Sequence, residues 1–386
     1  MKISYAFDFT KRIIIASLLL LFGIQMSMLA LAEQESSKKK VVVIGSSMPI
    51  TGHASSYGAS AHGGLFAALY DFNMSSSLQE PDIREYILDD KYVPYNSRKN
   101  VQYFESKKTT TLIMPFGTAS IESYLSDIRA GKLLVLFPNM EGRYPDIKNL
   151  IHFRPSYAEE TIALINYVVE KNQYRRCAIF YQNDSFGIGQ RDTAHAILRE
   201  KNIEWVDVPY DRNAVAFSQQ AEKIKNADVD MIALFCLSGA GISLIRNIKV
   251  YNLVNKKLIG TSDLLTGGFI VYAYLLGLDF VCTSVTPNPE KSTLPIAQEY
   301  RASMEKHDFE LDSFSFEGYI ATQLFLDAFR FVGHVLDPVK LVRYFEGMHN
   351  VTFKGWSLSF NKERSLSNNI WIVEGPTVDW TLYKRK

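Results

Sequence analysis

The feature that most constrains the fold is a repeated alternation of short apolar runs with longer stretches of helical spacing. In the first part of the chain, candidate strands lie at 41–44, 86–88, 110–115 and 133–137, and candidate helices at 62–72, 96–107 and 121–130. This order requires a crossover helix between successive strands, which makes the strands parallel and covers both faces of the sheet. The first part therefore predicts a doubly wound parallel sheet.

The same alternation begins again after Pro155, which we take as a crossing point between two units. Here the candidate strands lie at 176–181, 205–208, 231–235, 257–260 and 280–285, and the candidate helices at 159–171, 190–201, 217–227 and 239–251. Two successive units of similar rhythm form a weak internal repeat, and a length of 386 residues also favours two domains. We expect an α/β protein of two doubly wound parallel-sheet lobes that face each other.

The end of the chain has a different pattern. Candidate helices lie at 314–333 and 338–346, and two candidate strands at 356–360 and 370–374 are separated by the charged turn 361–365. These two strands predict a terminal hairpin.

The first 32 residues have the pattern of a targeting segment. A positively charged start precedes the apolar run 13–29, and Ala30 and Ala32 occupy the two positions that a signal peptidase reads. The alternative is a retained membrane anchor, because the run approaches the about 18 residues needed to span a bilayer. The polar stretch 33–40 that follows favours export with a cleaved signal peptide at 1–32. The absence of a cysteine near the junction argues against a lipid anchor.

Composition excludes several classes of function. The formal net charge is +1 and no basic stripe is present, which argues against nucleic acid as a partner. The sequence has no G-x-S-x-G elbow, no phosphate-loop lysine motif, no H-E-x-x-H and no C-x-x-C, and no two histidines have metal-ligand spacing on one helix. We therefore expect no enzyme, cofactor or metal site, although a catalytic triad of dispersed residues stays open as an alternative.

The three cysteines, Cys177, Cys236 and Cys282, lie within apolar runs that are typical of strands. Three cysteines in an exported chain permit one disulfide and one spare at most. We predict buried unpaired thiols.

Candidate ligand residues follow from the position of the loops. In doubly wound sheets, ligands bind at the carboxyl ends of the strands. After the third candidate strand, Gly117 permits close backbone approach, Thr118 and Ser120 offer hydroxyls, and the next helix offers free N–H groups. This loop is suited to a carboxylate; the alternative is an ordinary helix cap by Thr118 or Ser120.

Three acids in similar loops, Glu141, Asp184 and Asp263, could each face a ligand ammonium, because a buried acid needs a cationic or donor partner. For each, the alternative is a solvated loop acid or a helix cap. Tyr57 and Phe186 could clamp a ligand from opposite lobes, or pack beneath their loops.

Four groups of segments, taken in order, resemble periplasmic binding proteins of the branched-chain amino acid type, which have fold type I. They are 44–52 with Tyr57-Gly58 and 71–73; 116–120 with 137–139; 179–181 with 185–189; and 316–321. Each motif is loose by itself, and their order and spacing make the match specific. The resemblance covers nearly all of the chain after residue 32.

The resemblance implies a type I periplasmic binding fold with three crossovers, so that each lobe is discontinuous. The first lobe would take 40–155 and 286–360, and the second 156–285 and 361–386. The disulfide that the family has in its first lobe is missing here, because no cysteine precedes Cys177.

The resemblance also implies roles for individual residues. Thr118 and Ser120 would hold a carboxylate, and Ala119 and Asn139 would add backbone contacts. Tyr57 and Phe186 would line the side-chain pocket. Ser262 aligns with the ammonium-binding acid of many relatives, and Asp263 is next to it, so the amino-group contact departs from the family pattern. With Gly117 and Ser238, these residues form the predicted ligand site.

The implied function is that of an extracytoplasmic solute-binding protein. It would capture a small polar solute, an amino acid or a related carboxylate or amide, by hinge closure, and deliver it to the membrane-embedded permease of an ABC transporter. The chain would act as a monomer without a cofactor. The alternative is a sensory protein that signals to a membrane receptor by the same closure.

Overall fold

The computed structural model describes residues 39–384, with gaps at 78, 267 and 376. The predicted signal peptide at 1–32 lies outside the described residues. Within them, no helix has the length and apolar character needed to cross a membrane. The predicted α/β fold of two lobes with mainly parallel sheets is confirmed.

Fourteen strands and twelve α-helices were assigned within the described residues. The strands are β1 Val41–Met48, β2 Asp82–Asp89, β3 Thr111–Ile113, β4 Leu134–Leu136, β5 Leu150–Ile151, β6 Arg176–Gln182, β7 Glu204–Tyr210, β8 Met231–Phe235, β9 Lys257–Gly260, β10 Phe280–Ser284, β11 Val351–Phe353, β12 Trp356–Leu358, β13 Trp371–Glu374 and β14 Asp379–Leu382. The helices are α1 Ser55–Ser75, α2 Pro94–Ser106, α3 Thr118–Glu122, α4 Leu125–Arg129, α5 Tyr157–Lys171, α6 Ser185–Glu200, α7 Ser218–Asn226, α8 Ser238–Ile248, α9 Phe269–Leu275, α10 Pro295–Lys306, α11 Ser313–Phe331 and α12 Pro338–Glu346.

The first lobe is built on a five-stranded sheet with the order β2-β1-β3-β4-β5, in which every pair is parallel. Strands β3 and β4 are buried along their whole length, as expected for apolar runs covered by helices on both faces. The helix predicted at 121–130 is instead two short helices, α3 and α4, because Tyr124 leaves the helical conformation with φ −127° and ψ 18°.

Helices α1 and α11 pack at unusually close range on the first lobe, and two glycines make this possible. A Cβ atom on Gly64 would lie 1.8 Å from the carbonyl oxygen of Ser315, and one on Gly318 would lie 2.4 Å from the carbonyl oxygen of Ala61. Both distances are shorter than any real Cβ contact, so the helix pair requires glycine at these positions.

The second lobe is built on a seven-stranded sheet with the order β14-β13-β10-β9-β8-β6-β7. Strands β6 to β10 pair parallel with one another, whereas β13 pairs antiparallel with both β10 and β14. The predicted hairpin between 356–360 and 370–374 is therefore wrong. Strand β12 pairs with β11 instead, and β13 joins the large sheet, because Trp371–Glu374 completes the open edge of β10.

The chain passes between the two sheets three times: between β5 and α5, between β10 and α10, and between β12 and β13. The first passage contains Pro155, where we predicted a crossing. The residue bounds of the two discontinuous lobes stay a prediction.

All three cysteines are buried and free, as predicted. They lie on or directly after strands of the second sheet, in its apolar layers. Burial raises the pKa of the Cys177 thiol to about 12 and those of Cys236 and Cys282 further, so the thiols are unreactive packing groups.

Candidate functional site

Loops at the carboxyl ends of the strands converge between the two lobes, where parallel sheets of this kind bind ligands. The first lobe contributes the segments after β1, β3 and β4, and the second contributes those after β6, β8 and β9. Each predicted site residue lies in one of these segments or in the first turns of the following helix. The lobes are in contact here, and the predicted site residues other than Ala119 are buried.

Tyr57 joins the two lobes across this site. Its ring packs in the first lobe against Phe116 and Phe314, with ring centroids 5.2 and 5.4 Å apart. Its hydroxyl accepts a hydrogen bond from the backbone N–H of Ser238, 2.8 Å away, and donates one to the backbone carbonyl of Asp263, both in the second lobe. Tyr57 therefore fills space between the lobes and holds them closed.

The loop after β3 has a conformation that only glycine adopts readily. Gly117 has φ +97°, and a Cβ atom there would lie 2.8 Å from the ring of Tyr92. Its N–H donates to the carbonyl oxygen of Asn139 at 2.9 Å, which ties this loop to the loop after β4. Thr118 adds a second hydrogen bond between these loops, since its Oγ1 accepts one from Glu141 N at 2.9 Å.

Two of the predicted ligand residues on the first lobe have a hydrogen-bond donor without a partner. The Oγ of Ser120 and the side-chain amide nitrogen of Asn139 are buried and have no hydrogen-bond partner among the described residues. The amide oxygen of Asn139 is fixed, because it accepts a hydrogen bond of 2.7 Å from the Tyr157 hydroxyl. Phe186 from the second lobe packs edge-on against the Tyr157 ring, with centroids 5.3 Å apart.

Asp263 is a buried acid that the second lobe contributes to the predicted site. Its side chain is 1% exposed, and neither carboxylate oxygen has a hydrogen-bond partner within the described ranges. Burial raises the pKa of Asp263 to about 6, although the nearby Arg154 charge and the adjacent polar side chains of Tyr157 and Asn139 oppose that rise. The neighbouring Ser262 donates its N–H and hydroxyl to Glu160 at 3.0 and 3.1 Å.

A buried charge cluster centred on Arg154 lies beside Asp263, and the sequence analysis did not predict it. Arg154 lies 2.9 Å from Glu160 of the second lobe and 3.5 Å from Glu317 of the first. It also donates a hydrogen bond to the Ser262 hydroxyl, and its guanidinium lies 4.6 Å from the centre of the Tyr157 ring. The cluster thus links both lobes at the first crossing.

Two acids of this region have pKa values well above the ordinary range of a carboxyl group. Burial raises the pKa of Glu317 to about 7, against the opposing charge of Arg154. Burial likewise raises the pKa of Glu141 to about 8, and one of its carboxyl oxygens has no hydrogen-bond partner in the described part of the chain. The pKa of His152 is lowered by burial and by Arg143, so this histidine is neutral at physiological pH.

A sequence signal for the cluster existed. Glu317 is the one charged residue at the start of the aromatic-rich helix α11, and Arg154 lies in the segment that we took as a crossing point. A charged residue within an apolar pattern must find an opposite charge when it is buried. That rule indicates that partners exist, but the sequence does not say which residues they are.

Asp184, one of the acids considered for an ammonium contact, caps α6 instead. Its side chain accepts a hydrogen bond of 3.1 Å from Phe186 N and another from Arg212. Arg212 in turn donates to the carbonyl oxygen of Tyr92 at 3.3 Å, and Gln182 donates to the Tyr92 hydroxyl at 3.1 Å. The helix-cap alternative is therefore confirmed, and Asp184 also supports a contact between the lobes.

The described residues contain no group of three or more His, Cys, Asp or Glu side chains that could hold a metal ion. The arrangement offers hydrogen-bond donors from one lobe and a carboxylate from the other, and it suits noncovalent capture of a small polar molecule.

Comparisons with known proteins agree with the two-lobed fold. The model of a family described as periplasmic binding protein matches residues 41–377. A search of curated protein sequences finds no match. Among solved structures, the chain is similar to a possible leucine/isoleucine/valine-binding protein from Rhodopirellula baltica, with a TM-score of 0.81, 20% identity, and coverage of 90% of this chain and 97% of that one.

Two further similar structures contain ligands. A branched-chain amino acid ABC transporter protein from Thermus thermophilus with bound valine has a TM-score of 0.77 and 16% identity, covering 90% of this chain and 96% of that one. An ABC transporter solute-binding protein from R. palustris in complex with benzoate has a TM-score of 0.78 and 15% identity, covering 89% and 95%. At these identities, the likeness shows the shared fold alone.

Proposed function

Because the chain belongs to the periplasmic binding protein family, matched over residues 41–377, we propose that it is the extracytoplasmic solute-binding component of an ABC transporter. It captures a small polar solute, an amino acid or a related carboxylate or amide, and delivers it to a membrane-embedded permease. Similar structures bind valine in one case and benzoate in another, which supports a small-molecule ligand without identifying it. The proposal includes a periplasmic location, a monomeric state and no enzymatic activity.

One observation supports the proposal most directly. Ser120 and Asn139 on the first lobe, and Asp263 on the second, are buried with unsatisfied hydrogen-bonding groups. A buried polar group without a partner costs about 1–3 kcal/mol, and more when it is charged. A ligand that accepts from the two donors and donates to the carboxylate would remove these costs in the closed form alone.

This difference between the two forms is the mechanism of capture. In an open form, water can solvate Ser120, Asn139 and Asp263, so a ligand gains little there. In the closed form, the same ligand satisfies groups from both lobes at once. A ligand shifts a conformational equilibrium only by its differential affinity for the two states, and this arrangement provides that difference without any covalent step.

The experiment is a thermal-shift screen of the purified protein against amino acids, small carboxylates and amides, with titration calorimetry and solution X-ray scattering for each compound that binds. A ligand present at about 100 times its dissociation constant should add about 2.7 kcal/mol to the free energy of unfolding. We expect the best ligand to reduce the radius of gyration.

The variant that tests the site is Ser120→Ala, with Ser106→Ala as its control, since Ser106 lies exposed at the end of α2. We expect Ser120→Ala to weaken the best ligand about tenfold or more, the equivalent of about 1.4 kcal/mol, and Ser106→Ala to leave affinity unchanged. If no compound produces both stabilisation and compaction, the proposed function is wrong.

A further inference from the structure

We infer that the first lobe has a second binding site, which takes an anionic amphiphile: an apolar chain that ends in a carboxylate, sulfate or phosphate group. The site is a surface groove where the end of α11, one face of α12 and the start of β11 meet. Its volume is about 590 Å³, within the roughly 300–1,000 Å³ of small-molecule sites. The groove shares no residue with the predicted solute site and lies on one lobe only, so the inference is independent of the proposed function.

One face of α12, with the residue that follows the helix, supplies the charged lining of the groove. Lys340, Arg343, Tyr344 and Gly347 line it, and their i, i+3, i+4, i+7 spacing places them on one side of the helix. Leu341, on another side, is fully buried in the core of the first lobe. The groove face is therefore the side of α12 that stays open to solvent.

The rest of the lining is apolar. Phe331, at the end of α11, is 77% exposed, and its ring packs against that of Tyr344 with centroids 5.1 Å apart. Val332, Met348 and Val351 complete the apolar surface. Met348 is 3% exposed, so it lies at the base of the groove. A contiguous apolar surface bordered by polar residues is typical of ligand-binding grooves and interfaces.

The two cations of the groove are free to bind an anion. The side chains of Lys340 and Arg343 form no ion pair or hydrogen bond among the described residues, and no acid from that part of the chain lines the groove. Two acids close in sequence are engaged elsewhere: Asp327 accepts a hydrogen bond from the Tyr344 hydroxyl, and Asp337 caps the start of α12. Free cationic donors beside an apolar surface match a ligand with an anionic head and an apolar body.

Two other occupants fit the groove less well. A second copy of the chain would place the same surface on both sides of a two-fold interface, so the free cations of both copies would enter it together. A flat lipid bilayer would contact Phe331 at the rim, but it would not reach Met348 at the base. A single chain with an anionic end has neither difficulty.

The test is calorimetric titration of the purified protein with decanoate below its critical micelle concentration, with native mass spectrometry to count the bound molecules. Hexanoate has the same head with a shorter chain, and decyltrimethylammonium has the same chain with the opposite charge. We expect one decanoate per protein, bound about tenfold or more tightly than either comparison compound. The four additional methylenes account for the difference from hexanoate, since partial burial of each gives roughly a twofold gain in affinity.

The double variant Lys340→Gln/Arg343→Gln removes both cations. Its control is Lys223→Gln/Lys249→Gln, which removes two exposed lysines of the second lobe that form no ion pair among the residues described. We expect the first variant to weaken decanoate about tenfold or more and the control to leave its affinity unchanged, because a charge-assisted hydrogen bond is lost only in the groove.

Two further variants test the apolar part of the groove and keep the cations. Gly347→Leu fills it: Gly347 has φ −80°, and a Cβ there would lie 3.4 Å from the Arg343 carbonyl oxygen, an ordinary contact. Phe331→Ala removes part of its rim, and Tyr251→Ala is the matched control, since Tyr251 is a 69% exposed aromatic residue of the second lobe. We expect Gly347→Leu to abolish decanoate binding, Phe331→Ala to weaken it about fivefold, and Tyr251→Ala to have no effect.

Several results would overturn the inference. They are no binding of decanoate, equal binding of decyltrimethylammonium, or full decanoate affinity in the groove variants. A dimer in sedimentation experiments that Phe331→Ala dissociates would show that a second copy occupies the groove. Loss of decanoate binding in Ser120→Ala, with retention in Gly347→Leu, would place the compound in the predicted solute site instead.

Discussion

Asp263 is the residue whose environment has the clearest consequence for stability. Burial raises its pKa from 3.8 to about 6, so the Asp263 carboxyl group holds its proton more tightly in the folded protein than in the unfolded chain. The contribution of Asp263 to stability is therefore largest below about pH 4 and is lost as the pH rises through about 6. A shift of about two units corresponds to roughly 3 kcal/mol.

We accordingly expect ligand-free Asp263→Asn to be more stable than the unaltered protein at pH 7, with the difference shrinking by roughly 3 kcal/mol between pH 7 and pH 4. Urea unfolding of both proteins at pH 4, 5, 6 and 7 measures it. A difference between protein and variant that stays constant from pH 4 to pH 7 would contradict the assignment.

At the residue scale, the sequence predicted single positions better than pairings. The buried thiols and the placement of Tyr57, Ser120, Asn139 and Asp263 at strand ends follow from local pattern, because strand ends meet at one edge of a sheet. The Arg154 cluster does not follow, since Glu160 and Glu317 come from different lobes and lie far apart in the sequence. Whether Thr118 and the other predicted contacts touch a ligand stays a prediction.

Among the helices, the contact between α1 and α11 makes a prediction with an internal control. Gly64 and Gly63 are adjacent in α1, but a Cβ on Gly64 would lie 1.8 Å from the Ser315 carbonyl oxygen, whereas one on Gly63 would make an ordinary contact, 3.5 Å from the Phe309 ring. We expect Gly64→Ala to lower the free energy of unfolding by about 1–3 kcal/mol or more, because the helices must separate.

Gly63→Ala should be neutral or stabilising by up to about 1 kcal/mol, because alanine is favoured over glycine within a helix. Chemical denaturation of the two variants beside the unaltered protein measures both effects. Equal effects of the two substitutions would show that the close approach of α1 to α11 is not the reason for glycine at this position.

Element boundaries were predicted best where strands are buried and apolar. Strands β8 and β9 and helix α12 have the predicted bounds, because sharp changes in pattern flank them. Helices α9 and α10 were missed. Phe269–Leu275 consists largely of β-branched and aromatic residues that favour strands, so tertiary packing decides its helical form. The hairpin was misassigned because strand β13 finds its partner β10 far back in the sequence.

The whole molecule is held closed by contacts that cross between the lobes, and Arg212 makes one that can be removed separately. Arg212 binds Asp184 within the second lobe and the Tyr92 carbonyl on the first, and its guanidinium lies 4.4 Å from the centre of the Tyr92 ring. We expect Arg212→Ala to open the ligand-free protein, with a larger radius of gyration in solution scattering.

Affinity should fall as well, by about tenfold, because a hydrogen bond to a charged group contributes about 1.5–3 kcal/mol and the closed population shrinks accordingly. Arg191→Ala is the matched control, since Arg191 contacts Asp192 and Tyr181 within the second lobe alone. If Arg212→Ala changes neither the radius of gyration nor the affinity, these contacts do not govern closure.

The pairing of β13 with β10 also has a consequence for folding during synthesis. The second sheet receives its last two strands from residues 371–382, although its first strand begins at Arg176. Ile372 and Val373 complete the apolar layers on both faces of that sheet. During synthesis from the amino end, the edge of β10 therefore stays unpaired until residues 371–374 have been added, and until then that half of the protein exposes a strand edge that is prone to pair with other chains.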